Sequence, residues 1–369
     1  MRSHWYNTIV ENRKDIPGSV TAGPTIPPFT PWECIKGSLV GKPFDNVNVN
    51  IHELGGTGGV WVTTTDAPPI VQFEPQTLAT KANLKYKGRV AKGLEAFSTA
   101  HPKNDVNPNV KASYNYFIDL RPFRIPFRKF SNFAKFVKID QNLQRTVVGS
   151  VELGRHCVPY VHDVQVTENY GILCIWPLFI DFNSITNGRG FLPQLQWRPD
   201  LTSKIYVFDL KKTNAAPIGQ FEAPPLFSYH HANAYEDTDE KGYKRVIVDL
   251  VAYESGKIVN GEHGYAYLDQ MQTLEGQQVL EREGNITRFH LPLTSAAAST
   301  TIPVTPMKLY ALDERQENMR YEFPIINPKY MGKRHRFVFG VSRGTVFAIH
   351  LFENSLQILR SSVSGMGHS

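Results

Sequence analysis

Cysteine is scarce: Cys34, Cys157 and Cys174 are the only three in 369 residues. An odd, widely spaced set of this kind makes no disulfide framework and fits a reducing compartment. No stretch approaches the roughly 18 consecutive apolar residues of a membrane-spanning helix. The opening residues, Met1 to Asn7, carry none of the apolar character of a secretory signal. Charge of one sign is not concentrated either. The 40 Lys and Arg against 34 Asp and Glu leave a formal net charge of +6, and no zinc-finger spacing, RNP-like strand or long basic run accompanies it. Nucleic acid is therefore not an expected partner. Ser-His-Asp and Gly-x-Ser-x-Gly signals are missing, which excludes the common serine hydrolase arrangement. Helical periodicity is rare, with residues 268–277 the best candidate. What remains is a soluble or peripherally bound protein, expected in the cytoplasm, with membrane-surface contact and a plastid location left open.

Apolar and aromatic residues are plentiful, at 41% and 12%, enough for a large buried core. They are arranged as strands. Residues 59–65 (GVWVTTT), 171–176 (GILCIW), 204–208 (KIYVF), 245–251 (RVIVDLV) and 336–341 (RFVFGV) are β-branched and aromatic runs bounded by turn residues. Residues 1–45, rich in Pro, Gly and Thr, read as an irregular lead-in to one domain over 46–369. One pattern recurs: a strand closes on an acidic residue, a polar turn follows, and a second strand begins. It appears at Glu74, Asp140 and Asp209, and more weakly at Asp313 and Glu353. A carboxylate there can accept hydrogen bonds from the backbone of the turn it opens. Such regularity suits the blades of a β-propeller.

Three of the twelve histidines follow this series: His101 after the Glu74 hairpin, His162 after Asp140 and His230 after Asp209. Equivalent positions on successive blades face one axis, so the three imidazoles are expected to converge as metal ligands must. His231 adjoins His230 and, on a strand, points to the opposite face. Asp163, Asn233 and Glu236 lie close by. Metal-bound imidazoles usually donate their second N–H to a carboxylate or carbonyl, so acids are expected near such a site. Residues 121–136 (RPFRIPFRKFSNFAKF) interleave phenylalanine with basic residues. That segment reads either as an element dipping into a membrane interface or as a loop packed on the propeller with its charges in solvent.

Together the segments AHPKND, VHDVQVTENY, YHHANAYED and YEFPIINPKY resemble the carotenoid cleavage oxygenases, a family that includes carotenoid and apocarotenoid dioxygenases, stilbene-cleaving enzymes and retinoid isomerases. The resemblance implies an all-β, seven-bladed propeller with Fe(II) on its axis. His101, His162 and His230 match three of the family's four ligand positions, the third selected over His231 by its spacing from the following Asn. Glu322 matches a glutamate that hydrogen-bonds a ligand histidine, and Asp66 falls where a second such glutamate is more common. The fourth histidine of the family lies in a His-Gly motif toward the C-terminus. No such motif follows the strand at 336–341 here, and His335, His350 and His368 are poor replacements. On this resemblance the propeller is expected to be incomplete, lacking first and last blade segments. The implied chemistry is cleavage of a conjugated C=C bond in a carotenoid, apocarotenoid or related apolar polyene by Fe(II) and O2. A non-catalytic paralogue or fragment that binds an apolar ligand, and a retinoid-type isomerase on the same scaffold, are the alternatives.

Overall fold

The computed structural model describes residues 47, 49–56, 60–121, 131–154, 157–180, 195–260, 284–309, 322–342, 345–351 and 356–359. The lead-in at 1–45, the helix candidate at 268–277, the acidic turns at Asp313 and Glu353, and His368 lie outside them.

Within these residues the chain forms five successive four- or five-stranded sheets, antiparallel but for one short pair, each drawn almost entirely from one continuous stretch of sequence. The first contains β1 (Asn50–Glu53), β2 (Trp61–Thr64), β3 (Ile70–Phe73) and β4 (Thr80–Leu84). The second contains β5 (Leu94–Ser98) and β6 (Lys103–Asn104), which both pair with β7 (Ala112–Leu120), then β8 (Asn132–Asp140) and β9 (Arg145–Gly154). The third begins with β10 (Gln165–Val166) and β11 (Tyr170–Ile175). A separate ribbon of β12 (Leu178–Ile180) and β13 (Leu195–Trp197) then interrupts it. It resumes with β14 (Ser203–Asp209) and β15 (Gly219–Ala223). The fourth holds β16 (His231–Thr238), β17 (Lys244–Ala252) and β18 (Asn285–Pro292). Two short strands follow: β19 (Ile302–Pro303) returns to lie parallel to β15, and β20 (Met307–Lys308) completes the fourth sheet. The fifth contains β21 (Glu322–Ile325), β22 (Phe337–Ser342), β23 (Thr345–Leu351) and β24 (Leu356–Leu359).

The apolar runs account for this arrangement. All nine residues of β7 are buried, as are the last seven of β17, so these strands are covered on both faces by neighbouring sheets. In β14 and β15, buried and half-buried residues largely alternate, which is the signature of one face packed and one nearer solvent. The strands expected from sequence all form, with ends shifted by a residue or two. Asp140 accepts from the backbone N–H groups of Asn142 and Gln144 at 2.8 Å each, and Asp209 from that of Lys211 at 2.9 Å, as their turn-opening role requires. Glu74 differs. Its turn closes through backbone bonds to Leu78 and Ala79, and its carboxylate pairs with Lys81 instead.

Adjacent sheets are joined by close packing. Phe136 of β8 stacks on Phe208 of β14 with ring centroids 5.6 Å apart and on Tyr114 of β7 at 6.1 Å. Gly149 and Gly171 make the room. A Cβ on Gly149 would lie 2.3 Å from the Phe208 ring, and one on Gly171 would lie 2.2 Å from the Phe136 ring. Of residues 121–136, residues 122–130 lie outside the described ones; Phe136 is buried in this packing, and the Arg121 guanidinium lies 4.5 Å from the centre of the Phe133 ring.

Candidate metal centre

In three successive sheets the chain carries a histidine just before the strand that starts or completes the sheet's first edge. His101 precedes β6, His162 precedes β10 and His230 precedes β16. The structure brings these three together. One ring nitrogen from each lies within 4.8 Å of the others. The ring centroids are 4.7, 5.0 and 5.2 Å apart, and the rings meet edge to face. His162 is buried, while His101 and His230 are half-buried.

Two carboxylates set the direction of two of these rings. Nδ1 of His162 lies 2.9 and 3.0 Å from the two carboxylate oxygens of Asp66, in the turn between β2 and β3. Nδ1 of His230 lies 2.6 Å from Oε2 of Glu322, the first residue of β21. A carboxylate can only accept, so each Nδ1 carries the proton and each Nε2 presents its lone pair on the opposite side of the ring. Both acids are anchored in turn. The Tyr160 hydroxyl donates to Asp66 at 2.9 Å, and the backbone N–H of Ala100 donates to it at 3.2 Å. The Tyr253 hydroxyl donates to Glu322, whose Oε2 also accepts from the backbone N–H of Phe323 at 2.7 Å. These two tyrosines, with Tyr229 and Phe227, form a buried aromatic wall behind the histidines.

The electrostatics suit cation binding. Burial, reinforced by the neighbouring His162, holds the His101 pKa well below its ordinary value, so this imidazole is neutral. For His162, burial works to lower the pKa, but the Asp66 carboxylate outweighs it and the net shift is upward. Nε2 of His101 and Nε2 of His162 lie 3.1 Å apart. A proton on Nε2 of His101 would close that gap as a hydrogen bond to the His162 lone pair, and a cation held by both nitrogens would close it equally. Two imidazole nitrogens bound to one ion at about 2.0–2.1 Å, roughly at right angles, would stand about 3 Å apart, so the donor set fits a first-row divalent ion.

The other residues noted in the sequence have other partners. His231 points away from the cluster and is buried near Trp176, with ring centroids 6.2 Å apart. Asn233 ties β16 to the loop before β22. Its amide donates to the carbonyls of Tyr330 and Lys333, lies 3.0 Å from Nδ1 of His335, and accepts from the N–H of Gly332. Glu236 binds Thr167 and Asn169, joining the third and fourth sheets. His335 is buried beside Asn233 and Asp249, away from the three histidines. Sequence reasoning missed Tyr160 and Tyr253, because a tyrosine two residues before a histidine, or at the end of a distant strand, carries no motif.

The protein family described as Retinal pigment epithelial membrane protein matches residues 12–359. The chain belongs to this family, that of the carotenoid cleavage oxygenases. It is 26% identical over 325 residues to the β,β-carotene 15,15'-dioxygenase of Mus musculus, covering 80% of this chain and 53% of that protein. Chloroplastic carotenoid cleavage dioxygenase 8 homolog B of Oryza sativa subsp. japonica is 25% identical over 300 residues, covering 80% and 47%. Among solved structures, a Synechocystis apocarotenoid oxygenase variant superposes with a TM-score of 0.60 at 17% identity, covering 88% of this chain and 62% of that one. The lignostilbene dioxygenase of Pseudomonas brassicacearum gives 0.58 at 19%, covering 84% and 59%. These superpositions establish the fold as the all-β, seven-bladed propeller of the carotenoid oxygenases, and the five sheets are its blades among the described residues. The chain spans about half the length of the curated relatives it matches.

Proposed function

We propose that His101, His162 and His230 hold ferrous iron and that the chain acts with O2 on a conjugated C=C bond of a carotenoid, apocarotenoid or related apolar polyene. The observation that carries this reading is the convergence of three imidazoles from three blades, two of them aligned by buried carboxylates. Iron bound there would supply the oxygen-dependent chemistry of double-bond cleavage, or of isomerisation. The protein's own residues do the rest. Asp66 and Glu322 hold the Nδ1 protons, so that His162 and His230 present fixed Nε2 lone pairs. Tyr160 and Tyr253 keep those acids from turning away. The aromatic wall of Tyr160, Tyr229, Tyr253 and Phe227 keeps water from the back of the cluster. No side chain is required as nucleophile or general base. The names of the relatives, which speak of β,β-carotene and carotenoid cleavage, support the substrate class, and the outer face of a membrane is a natural place to collect such a molecule.

The test is direct. The chain is loaded with Fe(II) under anaerobic conditions, given an apocarotenoid in detergent micelles and exposed to O2. Chromatography should then show paired carbonyl fragments. Isomers of unchanged mass would favour the isomerase alternative. A chain that takes up no ferrous iron would end the reading.

A further inference from the structure

Asp163 follows His162 directly, yet it orients no imidazole. Its hydrogen-bond partners are elsewhere. The carboxylate is buried, with a side chain 2% exposed, and Nζ of Lys103 lies 2.8 Å from Oδ1 and 3.1 Å from Oδ2. The backbone N–H of Val164 donates to Oδ1 at 2.8 Å, and that of His231 donates to Oδ2 at 2.9 Å. The Asp163 backbone also forms a parallel bridge with His101. Lys103 stands two residues after His101, and His231 one residue after His230. A single carboxylate therefore joins the chain segments that carry all three histidines, which lie on three different blades.

Asp66 and Glu322 fix the direction of two rings, and Asp66 also accepts from the Ala100 N–H beside His101. Neither bonds to the chain segments of all three histidines. His101 has no carboxylate on its ring among the described contacts. Its placement comes through the backbone, from the Thr99 hydroxyl, which accepts from its N–H at 2.8 Å, and from the bridge to Asp163. We propose that Asp163 is a positioning residue: its bonds to Lys103 and to the His231 backbone set the mutual spacing of His101, His162 and His230 that a bound metal requires. This inference rests on the metal-centre reading given above.

Co(II) is the probe, because its visible absorption reports ligand geometry without any need for turnover. The 369-residue chain and its variants are titrated with Co(II) alone, followed by absorption and calorimetry. Asp163→Asn keeps the side-chain shape while weakening the grip on Lys103. It should lower Co(II) affinity about 10–100-fold, as loss of an outer support for metal ligands does, and should shift the absorption bands of the protein that remains folded. Lys103→Met should move affinity and spectrum in the same direction, and Lys103→Arg, which keeps the cation, should restore both. A folded Asp163→Asn chain with unaltered affinity and spectrum would overturn the proposal. If that variant does not fold, unaltered Co(II) binding by Lys103→Met would do the same. Failure of the unmodified chain to take up Co(II) would instead remove the metal-centre reading, and the inference with it.

Discussion

Asp66 ends one methylene short of the glutamate more common at this position of the family, and its carboxylate still lies 2.9 Å from Nδ1 of His162. The backbone makes up the difference. The Asp66 carbonyl accepts from the N–H of Ser98 at 3.3 Å and its carboxylate from the N–H of Ala100, which draws the turn after β2 toward the second blade. Glu322 reaches His230 from the first residue of β21, and there the longer side chain is used in full. Two predictions belong at this scale. Glu322→Gln should lower metal affinity about 10–100-fold with the fold retained, since it weakens an orienting acceptor rather than removing a ligand; calorimetric titration alongside circular dichroism checks it. Tyr253→Phe deletes only the hydroxyl that steadies Glu322 and should give a smaller loss in the same assay. An effect of Tyr253→Phe exceeding that of Glu322→Gln would mean that the tyrosine acts on the site by some other route.

Blade contacts carry their own tests. Gly171 lies on β11 against the Phe136 ring, and a methyl group there would meet ring carbons at 2.2 Å. Phe136 is fully buried between Tyr114 and Phe208, so it cannot swing aside cheaply. Gly171→Ala should cost about 1–3 kcal/mol, the usual penalty of overpacking a filled core, measured as a lower denaturant midpoint. Asp119 on β7 supplies a pH-dependent contribution. Burial by itself would raise its pKa, but hydrogen bonds from Arg121, from the Gly93 N–H and from Lys135 outweigh burial and hold it well below the usual carboxylate range. Its stabilisation is therefore complete above the unfolded carboxyl pKa of about 3.9 and is lost as the pH falls below it. Asp119→Asn should unfold more readily than the parent chain at neutral pH, and the gap should close on acidification. A gap that widened toward low pH would contradict this assignment. Much of this level was legible in the sequence. The strands announced themselves as β-branched runs, and Asp140 and Asp209 marked turns because an Asx carboxylate bonds only nearby backbone. Glu74 was not readable in the same way, because the longer side chain can leave its turn for Lys81. The placement of His101, His162 and His230 after successive hairpins was visible, whereas the role of Asp163 was not, because its partners, Lys103 and the His231 backbone, lie on other blades.

On the scale of the whole molecule, the three histidines come from three sheets that share few chain neighbours, so a bound metal would act on all of them at once. A ligand that binds only the folded state stabilises it by about 2.7 kcal/mol when present at a hundred times its dissociation constant. Adding Co(II) should accordingly raise the thermal midpoint of the parent chain, and a chain with His162→Ala should show no such rise. The positions of the ligands carry a consequence for assembly. Residues 101, 162 and 230 are far apart in sequence, and the loops joining them must close before the imidazoles can meet. Each blade forms from local hairpins, whose contacts are short-range and quick to make. The metal has nothing to bind until the second, third and fourth blades have already docked against one another. Ion capture would then be a late event in folding, one that seals blades assembled without it and does not gather them.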